Sequence, residues 1–141
     1  MNFESLIAAL KRDEGLRLKP YLDTAAPPRI TIGYGRNLSD VGISAQEAHD
    51  MLTRDAIKAQ SVAAALIPNW LGMDDVRQNV LTNMAFNMGG VRLKGFVKFL
   101  AAVNEGRYVD AAAEMLDSKW AVQVGARAAR LAQEMLTGVV A

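Results

Sequence analysis

The sequence predicts a mainly α, α+β fold in two lobes, and three observations carry that expectation. Apolar residues recur at helical spacing over most of the chain. One β-branched and aromatic stretch, residues 16–36, breaks that spacing with prolines and glycines. A capping sequence at residues 44–47 then opens one long helix of mostly small and polar residues. With 141 residues, a single domain is expected, because a chain of this size buries roughly 70% of its unfolded surface.

The elements follow in order. Phe3, Leu6, Ile7 and Leu10 form one apolar stripe, with Asn2 as N-cap and Gly15 just past the C-terminus. Glu14 therefore falls in the last turn. Leu18, Tyr21 and Leu22 precede the turn-rich run from Asp23 to Pro28, and Ile30, Thr31, Ile32 and Tyr34 follow it. This reads as an antiparallel hairpin or small three-stranded sheet with Pro27-Pro28 at the turn. Ser44 and Glu47 have capping-box spacing, and the helix they open should run to about Leu66, where Pro68 stops it. Ala48, Leu52, Ala56, Ala59 and Ala63 give it a narrow apolar face, which suits a connector between lobes. From Asp74 onward four apolar stripes follow: Val76 to Met88, ended by Gly89-Gly90; Phe96 to Val103; Ala111 to Leu116; and Ala128 to Leu136, ended by Gly138. A small β-containing lobe at about 15–60 and a helical lobe at about 70–141, with helix 2–14 packed on the latter, are expected. A cleft between the lobes would suit a polymer.

Composition narrows the chemistry. The chain has no cysteine, which removes disulfides and thiolate metal sites. Its one histidine, His49, leaves no two-His metal site, so no metal or cofactor is expected. His49 itself reads as an exposed helix residue. The formal net charge of +1 is too small for a nucleic-acid partner. It is uneven, with residues 41–75 acidic on balance and residues 76–141 mildly basic, which fits an anionic polymer. No run approaches about 20 apolar residues, and the first residues do not read as a signal peptide, so no membrane insertion is expected.

Glycoside hydrolysis needs two carboxyl groups in different surroundings, one protonated and one ionised. Glu14 suits the first role, because the negative end of a helix dipole disfavours an ionised carboxylate. Asp23 suits the second, in a wet turn rich in backbone donors. Taken alone, the pair is also consistent with an ordinary helix-end charge and ordinary turn chemistry.

The wider pattern is specific. Glu14-Gly15-Leu16-Arg17-Leu18-Lys19, Tyr21, Asp23-Thr24 and Thr31-Ile32-Gly33-Tyr34-Gly35 resemble the catalytic segment of phage-type lysozymes, glycoside hydrolase family 24. The resemblance continues through Asn83-Met84-Ala85-Phe86-Asn87-Met88-Gly89, Gly95-Phe96, Ser118-Lys119-Trp120 and Arg127 to Arg130, covering nearly the whole chain. It implies a lysozyme-like fold and an endolysin that hydrolyses the β-1,4 bond between N-acetylmuramic acid and N-acetylglucosamine. Glu14 would be the general acid, and Asp23 the base or nucleophile beneath the sugar. Thr31 would position the attacking water or Asp23.

The same resemblance places Phe86 and Asn37 at sugar-binding positions, although Phe86 fits core packing equally well. Trp120 matches a buried aromatic. Trp70 is a candidate cap for the long helix. Arg127 should approach Glu14, favouring its ionised form, and Arg130 should approach Asp13. The implied partner is bacterial peptidoglycan, with no nucleic acid, a monomeric protein and reliance on a holin. The expected route is from host cytoplasm through a holin-type lesion to the cell wall.

Departures from the family pattern carry their own expectations. Seven residues separate Asp23 from Thr31, where relatives often have five, so the hairpin tip should be longer. Arg36 stands where relatives carry a histidine, and an ion pair with Asp55 is expected. Phe99 and Glu114 replace polar positions of the family's cleft. The Gly33-x-Gly35 pair lacks the rest of a phosphate loop and reads as close backbone packing. Two other readings are a lytic transglycosylase on the same glycan and an inactive glycan-binding module.

Overall fold

The computed structural model describes residues 1–141. It contains eight α-helices and one three-stranded antiparallel sheet, the mainly helical α+β class expected from the sequence. The chain divides into two compact units, Met1–Asp50 and Met51–Ala141, with the boundary inside the long helix.

The first unit is built from local signals. Helix α1 spans Phe3–Glu14, and the Asn2 side chain accepts the Ser5 N–H at 3.0 Å. Gly15 closes it with positive φ, its own N–H bonding Lys11 O. Strands β1 (Arg17–Leu22), β2 (Ile30–Gly33) and β3 (Arg36–Asn37) pair in chain order. Tyr21 lies opposite Thr31 and Leu22 opposite Ile30, with an irregularity between Arg17 and Tyr21. Thr31 lies opposite Asn37 across β2 and β3. The long tip from Asp23 to Arg29 includes a cis Ala26–Pro27 bond.

Within this unit Thr31 is the one side chain that is fully buried. Backbone and side-chain hydrogen bonds therefore do much of the local work. Ile30 N–H donates to Ser39 Oγ, Asp40 pairs with Arg29 at 2.6 Å, and the Asn37 side chain exchanges two hydrogen bonds with Asp40. The turn after β3 is thus tied to the hairpin tip.

The capping box forms as read. Ser44 Oγ accepts the Glu47 N–H at 3.1 Å, and Glu47 Oε2 accepts the Ser44 N–H at 2.7 Å. Helix α2 runs over Ala45–Ala65. Its apolar face is narrower than expected. Ala59 and Ala63 are buried, whereas Ala48 and Leu52 are exposed.

The second unit holds the hydrophobic core. A short 3₁₀ turn at Trp70–Gly72 leads to α3 (Asp75–Met88), whose N-cap Asp74 accepts the Arg77 N–H. The expected break at Gly89-Gly90 is a single residue, because α4 (Gly90–Lys94) restarts at once. Helices α5 (Val97–Asn104), α6 (Tyr108–Leu116), α7 (Lys119–Val124) and α8 (Ala126–Thr137) follow. Helix α6 packs most extensively, against α8 and α5. Leu81, Met84, Leu93, Met115, Leu131 and Met135 are at or near zero exposure, each stabilising the fold by roughly 1.5–3 kcal/mol through burial.

Trp120 is core, as expected, and its indole N–H reaches Asn87 Oδ1 at 3.0 Å. Trp70 is half-buried against the same core. It begins the 3₁₀ turn, and its carbonyl accepts from the Gln78 side chain at 2.6 Å. Phe99, which stands where the family's cleft has a polar residue, belongs to the core. It is 1% exposed and meets Phe96 edge-on at 6.2 Å, because α5 is apolar on most of its circumference.

Candidate active site

Glu14 is the final residue of α1, where the N-cap and the closing glycine fix the helix end. Its exposed carboxyl lies against the turn between β2 and β3. A methyl group built on Gly35 would fall 2.7 Å from Glu14 Oε2 and 3.1 Å from its carboxyl carbon. One turn earlier, Lys11 Nζ sits 5.5 Å from the ring centre of Tyr34. The last turn of α1 therefore meets the 34–35 turn twice. The close backbone packing expected of the Gly33-x-Gly35 pair is absent at Gly33, where nothing lies within 4 Å of a Cβ position, and at Gly35 the neighbour is the Glu14 side chain.

Asp23 follows directly on β1 and is half-buried. Its Oδ1 accepts two backbone N–H groups, Ala25 at 3.0 Å and Arg29 at 2.9 Å. Its own N–H donates to Arg29 O at 2.9 Å. These bonds fix the carboxylate at the strand end and fall on one oxygen, so the other stands outside this clasp.

Thr31, 4% exposed, lies on β2, and its hydroxyl donates to Arg29 O at 3.2 Å. With its proton so placed, the oxygen keeps its acceptor capacity. Asn37 is on β3 opposite Thr31, with its amide engaged by Asp40. Glu14, Asp23, Thr31 and Asn37 are thus all attached to one small sheet within the first unit.

Arg36 differs from its expected pairing with Asp55. Its guanidinium holds Glu47 in a two-point contact, Nη2 to Oε1 at 2.9 Å and Nη1 to Oε2 at 3.2 Å, and Nη1 also donates to Gly42 O. The capping-box glutamate presents its second oxygen to the strand, which makes it the nearer anion. The Ser44 N–H first, and then the Arg36 guanidinium, hold the Glu47 carboxyl below the usual range.

In the second unit, Arg127 donates from Nε and Nη2 to Asn83 Oδ1, at 2.9 and 2.6 Å. Arg130 is exposed and lies 3.6 Å from the buried Glu134. Asp13, in the first unit, has Arg12 at 3.6 Å. Phe86 is 45% exposed on α3 and so is not part of the core. It lines a concavity of about 270 Å³ with Asp55, Lys58, Val62 and Gly90. Sequence reading singled out neither Asn83 nor Gly35 as a site residue, although both lie in the motif segments it quoted. No group of three or more His, Cys, Asp or Glu side chains is arranged to hold a metal.

Comparison with known proteins gives this arrangement a context. Residues 11–134 match the family described as Phage lysozyme. This chain belongs to the phage lysozyme family. Membership places it among hydrolases of the lysozyme type, with the lysozyme-like fold expected for them. It is 32% identical over 95% of its length to the pre-baseplate central spike protein Gp5 of Enterobacteria phage T4, of which it spans 28%. It is 27% identical to the probable T4-type lysozyme 2 of Dictyostelium discoideum, covering 96% of both chains. It is also 36% identical over 77% of its length to an endolysin of Bacillus phage PZA, of which it spans 42%. No helix is long and apolar enough to cross a membrane.

Proposed function

We propose that this chain is a muramidase that hydrolyses the β-1,4 bond between N-acetylmuramic acid and N-acetylglucosamine in bacterial peptidoglycan. Glu14 is the general acid that protonates the leaving oxygen. Asp23 is the ionised carboxylate that serves the anomeric carbon, as base for a water or as nucleophile. Thr31 holds the attacking water or Asp23 in place. Asn37, opposite Thr31 on the same sheet, contacts sugar, and Arg36 supports the sheet through Glu47.

The observation that carries this reading is the attachment of both carboxyl groups to one sheet. Asp23 is clasped by two backbone N–H groups at the end of β1, and Glu14 rests against the turn that follows β2. Asp23 is held by two backbone donors at a strand end and Glu14 ends a helix, so the two carboxyl groups stand in different surroundings, as glycoside hydrolysis requires. The endolysin of Bacillus phage PZA among its relatives supports a role in lysis. In that role the monomeric protein accumulates in the host cytoplasm and reaches the wall through a holin-type lesion.

The test is turbidity loss in outer-membrane-permeabilised cells, together with reducing-end release from purified peptidoglycan. Glu14→Gln and Asp23→Asn should each lose most activity with the circular-dichroism spectrum unchanged. Wild-type lysis by Glu14→Gln would reject the assignment. Products carrying 1,6-anhydro ends would identify a transglycosylase instead, and no release from any wall preparation would indicate a binding module.

A further inference from the structure

We infer that Gly35 is a positioning residue for the reaction: its missing side chain is the seat of the Glu14 carboxyl. The inference rests on the reading of Glu14 as general acid. It comes from a contact that no part of that reading uses. Eight glycines of this chain have positive φ, and for six of them nothing lies within 4 Å of where a Cβ would stand. At those six the backbone conformation alone accounts for glycine. Gly138 faces the guanidinium of Arg77. Gly35 faces a carboxyl. Its Cβ position is filled by one side chain, with Glu14 Oε2 at 2.7 Å, the carboxyl carbon at 3.1 Å and Cγ at 3.5 Å.

The consequence follows from which atoms must give way. An alanine at 35 would force the carboxyl to retreat from 2.7 Å to ordinary contact at 3.4 Å or beyond. The neighbour is the far end of a flexible chain and not backbone, so it can move at little cost to folding. What moves, however, is the acid itself. Displacements approaching 1 Å at a reacting group can lower rates by about 100-fold. The Lys11–Tyr34 contact one turn earlier joins the same two elements without using the carboxyl.

The chain carries its own control. Gly106 has φ 71°, against 73° for Gly35, and nothing within 4 Å of its Cβ position. Gly35→Ala and Gly106→Ala therefore place a Cβ at nearly the same positive φ, and only the first touches Glu14. Gly35→Asn repeats the test with a residue that tolerates positive φ better, should the alanine variant fold poorly.

The experiment measures kcat and KM for reducing-end release from purified peptidoglycan, together with Tm, for the full chain and each variant. Gly35→Ala and Gly106→Ala should lower Tm by similar amounts. Gly35→Ala and Gly35→Asn should lower kcat by about 10- to 100-fold with KM unchanged, while Gly106→Ala keeps the wild-type kcat. Equal kcat in Gly35→Ala and Gly106→Ala, or a change in Gly35→Ala confined to KM, would overturn the inference. Glu14→Gln is run beside them. If it is inactive while Gly35→Ala is fully active, the seat alone is wrong. If Glu14→Gln keeps activity, the assignment of the acid is wrong.

Discussion

Asp23 and Arg29 close the hairpin tip reciprocally: Arg29 N–H donates to the Asp23 carboxylate at 2.9 Å, and Asp23 N–H donates to Arg29 O at 2.9 Å. The same carboxylate oxygen accepts the Ala25 N–H. Structure and charge can therefore be separated at this residue. Asp23→Asn retains an acceptor oxygen and should keep the tip closed while removing the anion. It should lose about 10²–10⁴-fold in activity with little change in Tm. Asp23→Ala removes the acceptor as well, and should add a stability loss of about 1–2 kcal/mol. Thermal melts beside reducing-end assays check both. A Tm for Asp23→Asn as low as that for Asp23→Ala would mean the charge, and not the acceptor, holds the tip.

Arg77 is the clamp of the helical unit. Only 14% of its side chain is exposed. Its Nε and Nη2 donate to Met135 O and Leu136 O near the end of α8, Nη1 reaches Asp74, and the guanidinium lies 3.6 Å from the ring centre of Tyr108. Burial pushes the Asp74 carboxyl up, but the Arg77 backbone and side-chain bonds outweigh it and hold that group below its usual range. Arg77→Ala should cost about 2–4 kcal/mol, read as a lower urea midpoint. Arg77→Lys should recover little of this, since an ammonium cannot fork to two carbonyls while stacking on a ring. Full recovery by lysine would show that charge alone matters there.

Much of this was readable because the deciding contacts are local. Asn2, Ser44, Glu47 and Gly15 act on backbone within four residues, so their types and spacing announce the helix ends. Glu14 and Asp23 were found by motif, and their attachment to one sheet follows from short connections. What escaped was decided by partners distant in sequence or by elements too short to show a period. Arg36 is a long side chain whose partner depends on tertiary placement, and Glu47 was already committed by its capping role. Asn83 meets Arg127 across 44 residues. Helix α4 has five residues, less than two turns, and begins at a glycine that reads as a stop. The Gly33-x-Gly35 pair announces close packing, but the neighbour at Gly35, the Glu14 carboxyl, lies 21 residues away and is set by tertiary placement.

Trp120 is 2% exposed, and its indole N–H finds Asn87 Oδ1 at 3.0 Å. An N–H inside a core without an acceptor is costly. Asn87→Ala should therefore lose about 1–3 kcal/mol, whereas Asn87→Asp, which keeps an acceptor, should stay close to wild type. Near-UV circular dichroism and tryptophan fluorescence report the same event, since the indole loses its fixed orientation only in the alanine variant. Equal stability of the two variants would show that water replaces the amide at this position.

Glu47 gives the pH prediction. Its carboxyl is held below the ordinary value of 4.5 by the Ser44 N–H and then by Arg36. A depressed value in the folded state means that the unfolded chain binds the proton more readily. The stabilisation is therefore fully present above about pH 4.5, the value of the unfolded group. It is lost as pH falls through the lower, folded value. Arg36 stays charged throughout, so nothing in this contact titrates between pH 6 and 8, where a histidine at that position would. Thermal melts of wild type and Glu47→Gln should differ most at pH 6–8 and converge in acid below pH 4. The pair is solvent-exposed, so added salt should shrink the gap at neutral pH through its Arg36 component and leave the Ser44 capping component. A gap that widens on acidification would reverse the sign and exclude this account of how the strand is tied to the start of the long helix.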